Sequence, residues 1–170
     1  AYHHGEQSLS ATIIGMAQNF VGSNNINLLQ PNGQFGTRIH GGKDSASPRY
    51  IFTVLSDITR SIFNESDDHI PEYLDDAGYP VEPRWYVPII PLILVNGSTG
   101  IGTGWSTSIP NYNPREIVAN LKRMLKGEEP EQMHPWYKHF AGSVELVDSS
   151  TSSYGYVTHG IWKKIDDNTI

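Results

Sequence analysis

The sequence contains no cysteine, no long apolar segment and no excess of basic charge. A chain without cysteine cannot form a disulfide framework or a cysteine-ligated zinc site, and its composition fits a reducing compartment. The longest apolar run, residues 89–95, is interrupted by Pro91 and is far shorter than the roughly 18 residues that span a bilayer. With 12 Lys and Arg against 18 Asp and Glu, the chain lacks the uniformly basic surface typical of bulk nucleic-acid binding.

The charges that are present are distributed unevenly. Residues 1–60 contain three acidic residues, four basic residues and three histidines, whereas dense acidic runs follow at residues 65–76 and 128–131. The first third of the chain can therefore face an anion while the acidic runs stay solvated. We interpret the acidic pairs in these runs as solvated faces rather than as magnesium ligands.

The length and composition fit a globular segment. Hydrophobic residues make up 38% of the chain, which is enough for a buried core, and 170 residues suit one domain or a small domain joined to part of a second. The chain has neither an initiator methionine nor a signal-peptide pattern, and it stops without a tail. We therefore expect it to be a segment of a longer protein.

Apolar residues at helical spacing predict three helices. The first covers residues 8–20, with Ser8 as its N-cap, and the second covers residues 51–63. The third begins after Asn113, because asparagine at the cap, proline at the first position and glutamate at the third form a strong start signal. Its expected buried face consists of Ile117, Val118, Leu121 and Leu125.

The remaining segments read as strands, loops and one linker. Predicted strands cover residues 24–30, 87–95, 142–146, 154–158 and 161–165. Two glycine-rich loops are predicted at residues 31–42 and 96–105. The acidic residues 64–83 contain many helix- and strand-breaking residues and read as an exposed linker, where we expect a soft domain boundary.

Five motifs resemble the DNA-gate region of type IIA topoisomerases, in particular the eukaryotic topoisomerase II branch. They are YHHGE at residues 2–6, AQNFVGSNN at 17–25, GQFGTR at 33–38, GGKDSASPRY at 41–50 and NGSTGIGTGWS at 96–106. The likeness extends over essentially the whole chain and weakens after about residue 130. Motifs of this length and order are highly specific.

The resemblance implies an α+β fold in two parts. Residues 1–82 correspond to the C-terminal part of a winged-helix domain that carries the nucleophile, and residues 83–170 correspond to the N-terminal part of an α/β tower domain. The expected partner is double-stranded DNA, bound by a homodimer of the parent enzyme, with no membrane association and a nuclear location. The parent enzyme uses ATP and Mg²⁺, both held outside these residues, so we expect this chain alone to be inactive.

The resemblance also implies that Tyr50 is the nucleophile. In the implied reaction its oxygen attacks a DNA phosphate, leaves a 5′-phosphotyrosyl bond and frees a 3′-hydroxyl that later reseals the strand. A phenol with a pKa near 10 is a weak nucleophile without help, and the guanidinium of Arg49 can offset charge on the phosphate. Adjacent residues of an extended segment point to opposite sides, so both reach one phosphate only if the backbone bends after Pro48.

Three residues near the N-terminus are further candidates. The resemblance puts His4 near the scissile phosphate as a hydrogen-bond donor and possible proton shuttle, although a packing histidine is an open alternative. Tyr2 and Ser8 fall where the family touches the DNA backbone, and Ser8 can instead be only a helix cap. We do not predict a metal site at His3, His4 and Glu6. Two adjacent histidines and one glutamate are an incomplete ligand set, and no further ligand follows at a suitable spacing.

Gln18, Arg38 and Lys43 are candidate DNA-backbone contacts, which position a duplex without reading its sequence. Each can equally be a solvated surface residue. Lys43 is favoured among them because it lies in the glycine-rich loop just before the nucleophile.

Ile101 lies between two glycines, where a lone apolar side chain has little support for core packing. Apolar wedges that insert between base steps bend duplex DNA, and the resemblance makes Ile101 the residue that kinks the DNA. A buried loop anchor is the alternative for this side chain. For the whole chain the alternative is a noncatalytic DNA-bending winged-helix module, which would have no need of the Arg49-Tyr50 pair.

Overall fold

A computed structural model describes residues 2–147 and 155–166. In these residues the chain forms short helices and three separate two-stranded antiparallel sheets. The helices are α1 (Glu6–Ala17), α2 (Thr59–Ile62), α3 (Leu92–Asn96) and α4 (Pro114–Leu125). The strands are β1 (Tyr73–Asp76), β2 (Tyr79–Pro83), β3 (Ser98–Gly102), β4 (Trp105–Ile109), β5 (Ser143–Val147) and β6 (Gly155–His159). The mixture of helices and antiparallel sheets confirms the α+β class, while the winged-helix and tower assignments stay predictions.

Helix α1 begins and ends earlier than predicted. It starts after Gly5, so Ser8 lies inside the helix and does not cap it. The helix ends at Ala17 because the side-chain nitrogen of Asn24 donates to the carbonyl oxygens of Gly15 and Gln18, at 2.7 and 2.8 Å. Those bonds satisfy carbonyl groups that a continuing helix would have used. Among the apolar residues of α1, Leu9 and Met16 are exposed and Ala17 is buried.

Helix α4 begins where the sequence predicts. The side-chain oxygen of Asn113 accepts a hydrogen bond from the Arg115 N–H at 3.0 Å, which is the expected cap. Ile117 is buried, whereas Leu125, predicted for the same face, is exposed at the last position of the helix.

The prediction of a helix over residues 51–63 is wrong except for the short α2. Residues 52–56 are extended and bond to residues 28–32, with both main-chain bonds of the Asn32 and Phe52 pair at 3.2 Å. β-branched residues in this stretch favour an extended backbone, and the partner segment satisfies its polar groups. The predicted strand at residues 24–30 is therefore an irregular pairing with isolated bridges.

Residues 64–83, predicted as an exposed linker, contain a hairpin. Strands β1 and β2 pair antiparallel, and the Asp75 carboxylate accepts from the Gly78 N–H at 2.9 Å across the turn. Most of the hairpin's side chains are exposed, as predicted.

Three further predictions in the second half are wrong. The predicted strand over residues 87–95 contains helix α3, because a short apolar run does not distinguish a buried strand from a buried helix. The glycine-dense loop at residues 96–105 is the hairpin of β3 and β4. The pairing of β5 with β6 confirms two predicted antiparallel strands, whereas residues 161–165 contain no strand.

Asn25 joins the two halves of the chain. Its side chain is buried, at 4% exposed, and its nitrogen donates to the carbonyl oxygens of Val95, Tyr112 and Trp136 at 3.0, 3.1 and 3.0 Å. Its oxygen accepts from the Lys138 N–H at 2.9 Å. One amide therefore satisfies main-chain groups from three different stretches beyond residue 90.

Neighbouring residues extend this contact between the halves. The Asn96 side chain donates to the Ile26 carbonyl at 2.9 Å and accepts from the Ile26 N–H at 3.0 Å. The Asn111 side chain donates to the Ser23 carbonyl at 2.8 Å. The hydrogen bonds of asparagine side chains, rather than one large apolar core, connect the segments before and after residue 82.

We predict that Asn25→Asp destabilises the chain by about 3 kcal/mol or more. The carboxylate is nearly isosteric with the amide but cannot donate to the three carbonyl oxygens, and each unsatisfied buried group costs about 1–3 kcal/mol. The control is Asn64→Asp, because Asn64 only accepts a bond from the Ser66 N–H on the surface and aspartate accepts equally well. Urea unfolding followed by tryptophan fluorescence compares the two variants, and equal midpoints would contradict this account.

Candidate active site

Tyr50 lies at the end of a 3₁₀ turn, Pro48–Tyr50, that projects its ring into solvent. The Tyr50 N–H donates to the Ser47 carbonyl at 3.0 Å, and the Ile51 N–H donates to the Pro48 carbonyl at 3.3 Å. The side chain is 71% exposed. A large partner can therefore reach the phenol oxygen without displacing other side chains.

Residues 32–34 anchor the turn on both of its sides. Before it, the Ala46 N–H donates to the Gln34 carbonyl at 2.9 Å, and after it Phe52 pairs with Asn32. Gly33 lies between these two anchors with a φ of 125°, and a Cβ there would lie 2.7 Å from Cγ2 of Ile51. The turn that carries Tyr50 is thus exposed to solvent and anchored at both of its ends.

Arg49 lies beside the tyrosine ring. Its guanidinium carbon is 5.6 Å from the centroid of Tyr50, within the range of a cation–π contact. The chain bends at Pro48, and two adjacent side chains lie together, while their contact with one phosphate stays a prediction.

Tyr2, His4 and Ser8 form one cluster at the start of α1. The rings of Tyr2 and His4 meet edge to face with centroids 5.5 Å apart, and the Tyr2 hydroxyl bonds to the Ser8 hydroxyl. Ser8 also donates to the His4 carbonyl at 3.5 Å. His3 faces away, 3.7 Å from Asp76 in β1. The structure thus brings together three residues that the sequence analysis named separately.

A groove of about 820 Å³ runs between α1 and the segment before Tyr50. Its walls include Glu6 and Gln7 on one side and Ser47, Pro48 and Arg49 on the other. The first turn of α1 and the 3₁₀ turn that carries Tyr50 therefore border the same open groove.

The side chain of Gln18 stabilises the glycine-rich loop by hydrogen bonds. Its side-chain nitrogen donates to the carbonyl oxygens of Phe35 and Gly42 at 2.9 and 3.3 Å, so this donor is used inside the protein. The side-chain oxygen is the atom that remains for a DNA contact, and that role stays a prediction. Gly42 packs directly against this amide, with a φ of 80°.

Asp44 and Thr37 close the loop that carries two of the candidate cations. The Asp44 carboxylate accepts from the Thr37 N–H and from its hydroxyl, each at 2.8 Å. The bond from the Thr37 main chain is the main cause that lowers the pKa of Asp44 below its ordinary value. The hydrogen bonds of the ionised Asp44 carboxylate stabilise the fold at neutral pH, and this stabilisation is lost as the pH falls through the lowered pKa. This pair has no local sequence signal, because Thr37 and Asp44 are seven positions apart and both residue types are common in loops.

Arg38 and Lys43 are both exposed on this loop. The guanidinium carbon of Arg38 lies 5.9 Å from the ring centroid of Phe140, so it leans toward the second half of the chain. The Lys43 N–H donates to the His40 carbonyl at 3.1 Å, and its ammonium group faces solvent. Two cations therefore project from a loop that precedes Tyr50.

Ile101 projects from a hairpin rather than from a loop. It lies in β3 opposite Ser106 of β4, and its side chain is 94% exposed. The neighbouring glycines leave open space around it. This exposure rules out the alternative of a buried anchor, and the paired strands give the side chain a firmer support than a loop would.

No group of three or more His, Asp or Glu side chains in residues 2–147 and 155–166 is arranged to hold a metal ion.

Comparisons with known proteins agree along the whole chain. A family model that describes the A subunits of DNA gyrase and topoisomerase IV matches residues 1–170. DNA topoisomerase 2 of Pisum sativum is 63% identical over 169 residues, covering 99% of this chain and 11% of that protein. DNA topoisomerase 2-alpha of Mus musculus is 58% identical over 170 residues, covering 100% and 11% respectively. The chain thus spans little more than a tenth of these relatives.

One solved structure is similar in both sequence and fold. It is the topoisomerase II DNA-binding, cleavage and re-ligation domain of Plasmodium falciparum, with 57% identity and a TM-score of 0.88. The match covers 97% of this chain and 22% of that one.

We predict that Gly36→Ala destabilises the chain by at least about 2 kcal/mol more than Gly41→Ala. Both glycines have positive φ, at 105° and 58°, so both variants carry a left-handed backbone penalty of about 1–2 kcal/mol. Only at Gly36 would the new Cβ meet backbone, with Gly42 atoms 2.6 Å away, while Gly41 faces open space. Denaturant unfolding measures the difference, and equal losses would show that the loop is not closely packed.

Proposed function

The chain belongs to the type IIA topoisomerase family, as a segment matched by eukaryotic DNA topoisomerase 2 proteins, and on that premise we propose that Tyr50 is its DNA-cleaving nucleophile. The observation that carries the proposal is the exposed Tyr50 phenol on an anchored turn with the Arg49 guanidinium beside it. A structural tyrosine would bury its ring, and a surface tyrosine would have no reason to share a rigid turn with a cation.

The proposed step exchanges one phosphate ester for another. The Tyr50 oxygen bonds to phosphorus and loses its proton, the bond from phosphorus to the 3′ oxygen breaks, and that oxygen leaves as a 3′-hydroxyl. The product is a 5′-phosphotyrosyl ester, and attack by the 3′-hydroxyl reverses the step and reseals the strand. Arg49 offsets charge on the phosphate, and His4 donates a hydrogen bond or moves a proton near it.

The remaining site residues hold the duplex. Tyr2 and Ser8 contact the backbone beside His4, and Arg38 and Lys43 bind phosphates from the glycine-rich loop, with Gln18 contributing its free side-chain oxygen. Such contacts orient DNA without selecting a sequence, which suits an enzyme that cleaves at many sites. Ile101 inserts between base steps and bends the bound DNA.

The parent enzyme then breaks both strands, passes a second duplex through the gap and rejoins them, and so controls DNA topology and chromosome segregation. Two copies supply two tyrosines, which makes a homodimer necessary. We propose that ATP and Mg²⁺, which the parent enzyme uses, are held by residues outside this chain. We place the enzyme in the nucleus, and none of the described helices is long and apolar enough to span a bilayer.

We predict that Tyr50→Phe in the full-length enzyme abolishes covalent protein–DNA adducts. Phenylalanine keeps the ring but removes the attacking oxygen, so the loss should exceed about 1,000-fold, as for other essential catalytic groups. The matched control is Tyr79→Phe, which removes a hydroxyl from a similarly exposed tyrosine in the β1–β2 hairpin. Adducts trapped by denaturant are counted on labelled DNA. If they persist in Tyr50→Phe, another residue is the nucleophile and the noncatalytic bending module becomes the better account.

We predict that Ile101→Ala reduces DNA bending by the full-length enzyme. Separating stacked bases costs a few kcal/mol per base step, and the methyl group of alanine is too small to insert between them and offset that cost. Energy transfer between dyes at the two ends of a short duplex reports the bend. Ile161→Ala removes an equally bulky exposed side chain from residues outside the hairpin and serves as the control. An unchanged bend in Ile101→Ala would remove the wedge assignment.

A further inference from the structure

The negative charge of the chain is concentrated in one short stretch. Residues 65–87 contain seven acidic residues and one basic residue, a net charge of −6, which equals the net charge of the whole chain. The other residues therefore contain 11 acidic and 11 basic side chains and are neutral overall. This stretch, which includes the β1–β2 hairpin, lacks the basic charge that contacts with DNA phosphates need.

An apolar groove of about 510 Å³ opens within this acidic stretch. Its apolar lining includes Phe63, Ile70, Trp85, Tyr86 and Val87. Trp85 is 57% exposed and Ile70 is 77% exposed, so large apolar surfaces face solvent here. Contiguous exposed apolar surface of this kind marks a contact site.

Fixed contacts hold the walls of the groove. The rings of Phe63 and Tyr86 meet edge to face at 5.5 Å, and the Arg84 N–H donates to the Glu72 carbonyl at 2.8 Å. The Tyr73 hydroxyl donates to the Asp68 carbonyl at 2.5 Å. The groove is therefore a shaped surface, which an occupant can enter without reorganising it.

The rim of the groove stays negative after its own ion pairs are counted. Asp68 pairs with Arg60 at 2.6 Å and Glu72 pairs with Arg84 at 3.2 Å. Asp67 forms no ion pair among the described residues. An occupant that brings positive charge to Asp67 and an apolar side chain to Trp85 would match both features.

We propose that this groove is an intramolecular docking site for a basic segment of the same longer polypeptide, which inserts an apolar side chain against Trp85 and places Lys or Arg near Asp67. Two observations favour this source. The chain spans 11% of the length of its topoisomerase relatives, so most of the polypeptide lies outside it. The groove is also lined by both apolar and acidic side chains, which fits a basic segment with an apolar anchor. The inference goes beyond the proposed function, because none of these residues belongs to the Tyr50 site.

A photo-crosslinking experiment on the full-length enzyme tests the proposal. p-Benzoylphenylalanine replaces Trp85, and in a control it replaces Trp162, which is also largely exposed in this chain. After irradiation, mass spectrometry identifies the linked peptide. The expected result is a link from position 85 to a segment of the same polypeptide that contains several Lys or Arg near the linked residue. Asp67→Asn should at least halve its yield, whereas Glu129→Gln should not.

A second measurement needs no substitution. Hydroxyl-radical footprinting of the wild-type enzyme should oxidise Trp85 at least fivefold more slowly than a solvent-exposed tryptophan peptide. The proposal would be overturned if Trp85 were not protected or if the crosslink yield were unchanged in Asp67→Asn. It would also be overturned by a crosslink to a nonbasic segment, to a second copy or to another protein. Cleavage by Tyr50 would stand in all of these cases.

Discussion

The buried amide of Asn25 is the contact on which the arrangement of the whole chain depends. It lies in an extended segment, residues 23–32, whose members bond one after another to different parts of the protein. Their partners include Asn111, Gly15, Val95, Asn96, Ser56, Val54 and Phe52. Because so little apolar surface is buried, these directional bonds rather than a large core determine where each part lies. Tyr50 belongs to the part of the chain on one side of these bonds and the Ile101 hairpin to the part on the other, so their relative placement follows from them.

The reactive site combines exposure with rigidity. Tyr50 and Arg49 face solvent, yet the backbone beneath them is tied to residues 32–34 on both sides. The adjoining loop is closed by Asp44 and Thr37 and braced by Gln18. A duplex is too large to enter a closed pocket, so a site that acts on it must project from the surface. In the proposed reaction, a fixed backbone lowers the conformational entropy lost when Tyr50 and Arg49 meet the phosphate.

Sequence reasoning succeeded where the signal was local. The start of α4 followed from Asn113 and the proline after it, and the motifs around Tyr50 identified the family, whereas the site assignment stays a prediction. It failed at residues 51–63, where a distant partner segment overrode helical spacing, and at residues 96–105, where glycines suggested a loop although the backbone forms a hairpin. The contacts of Asn25 join residues more than 70 positions apart and have no local signature. Long-range hydrogen bonds of this kind become visible only in three dimensions.

Mass spectrometry of the trapped DNA adduct tests the central claim most directly. Trypsin should release residues 50–60 after Arg49, or residues 44–60 if the adduct blocks that cleavage, and either peptide contains a single tyrosine. Fragmentation should place the residual nucleotide mass on Tyr50, linked through a 5′-phosphate. Nucleotide mass on a serine or threonine of this peptide, or on a tyrosine of any other peptide, would contradict the account.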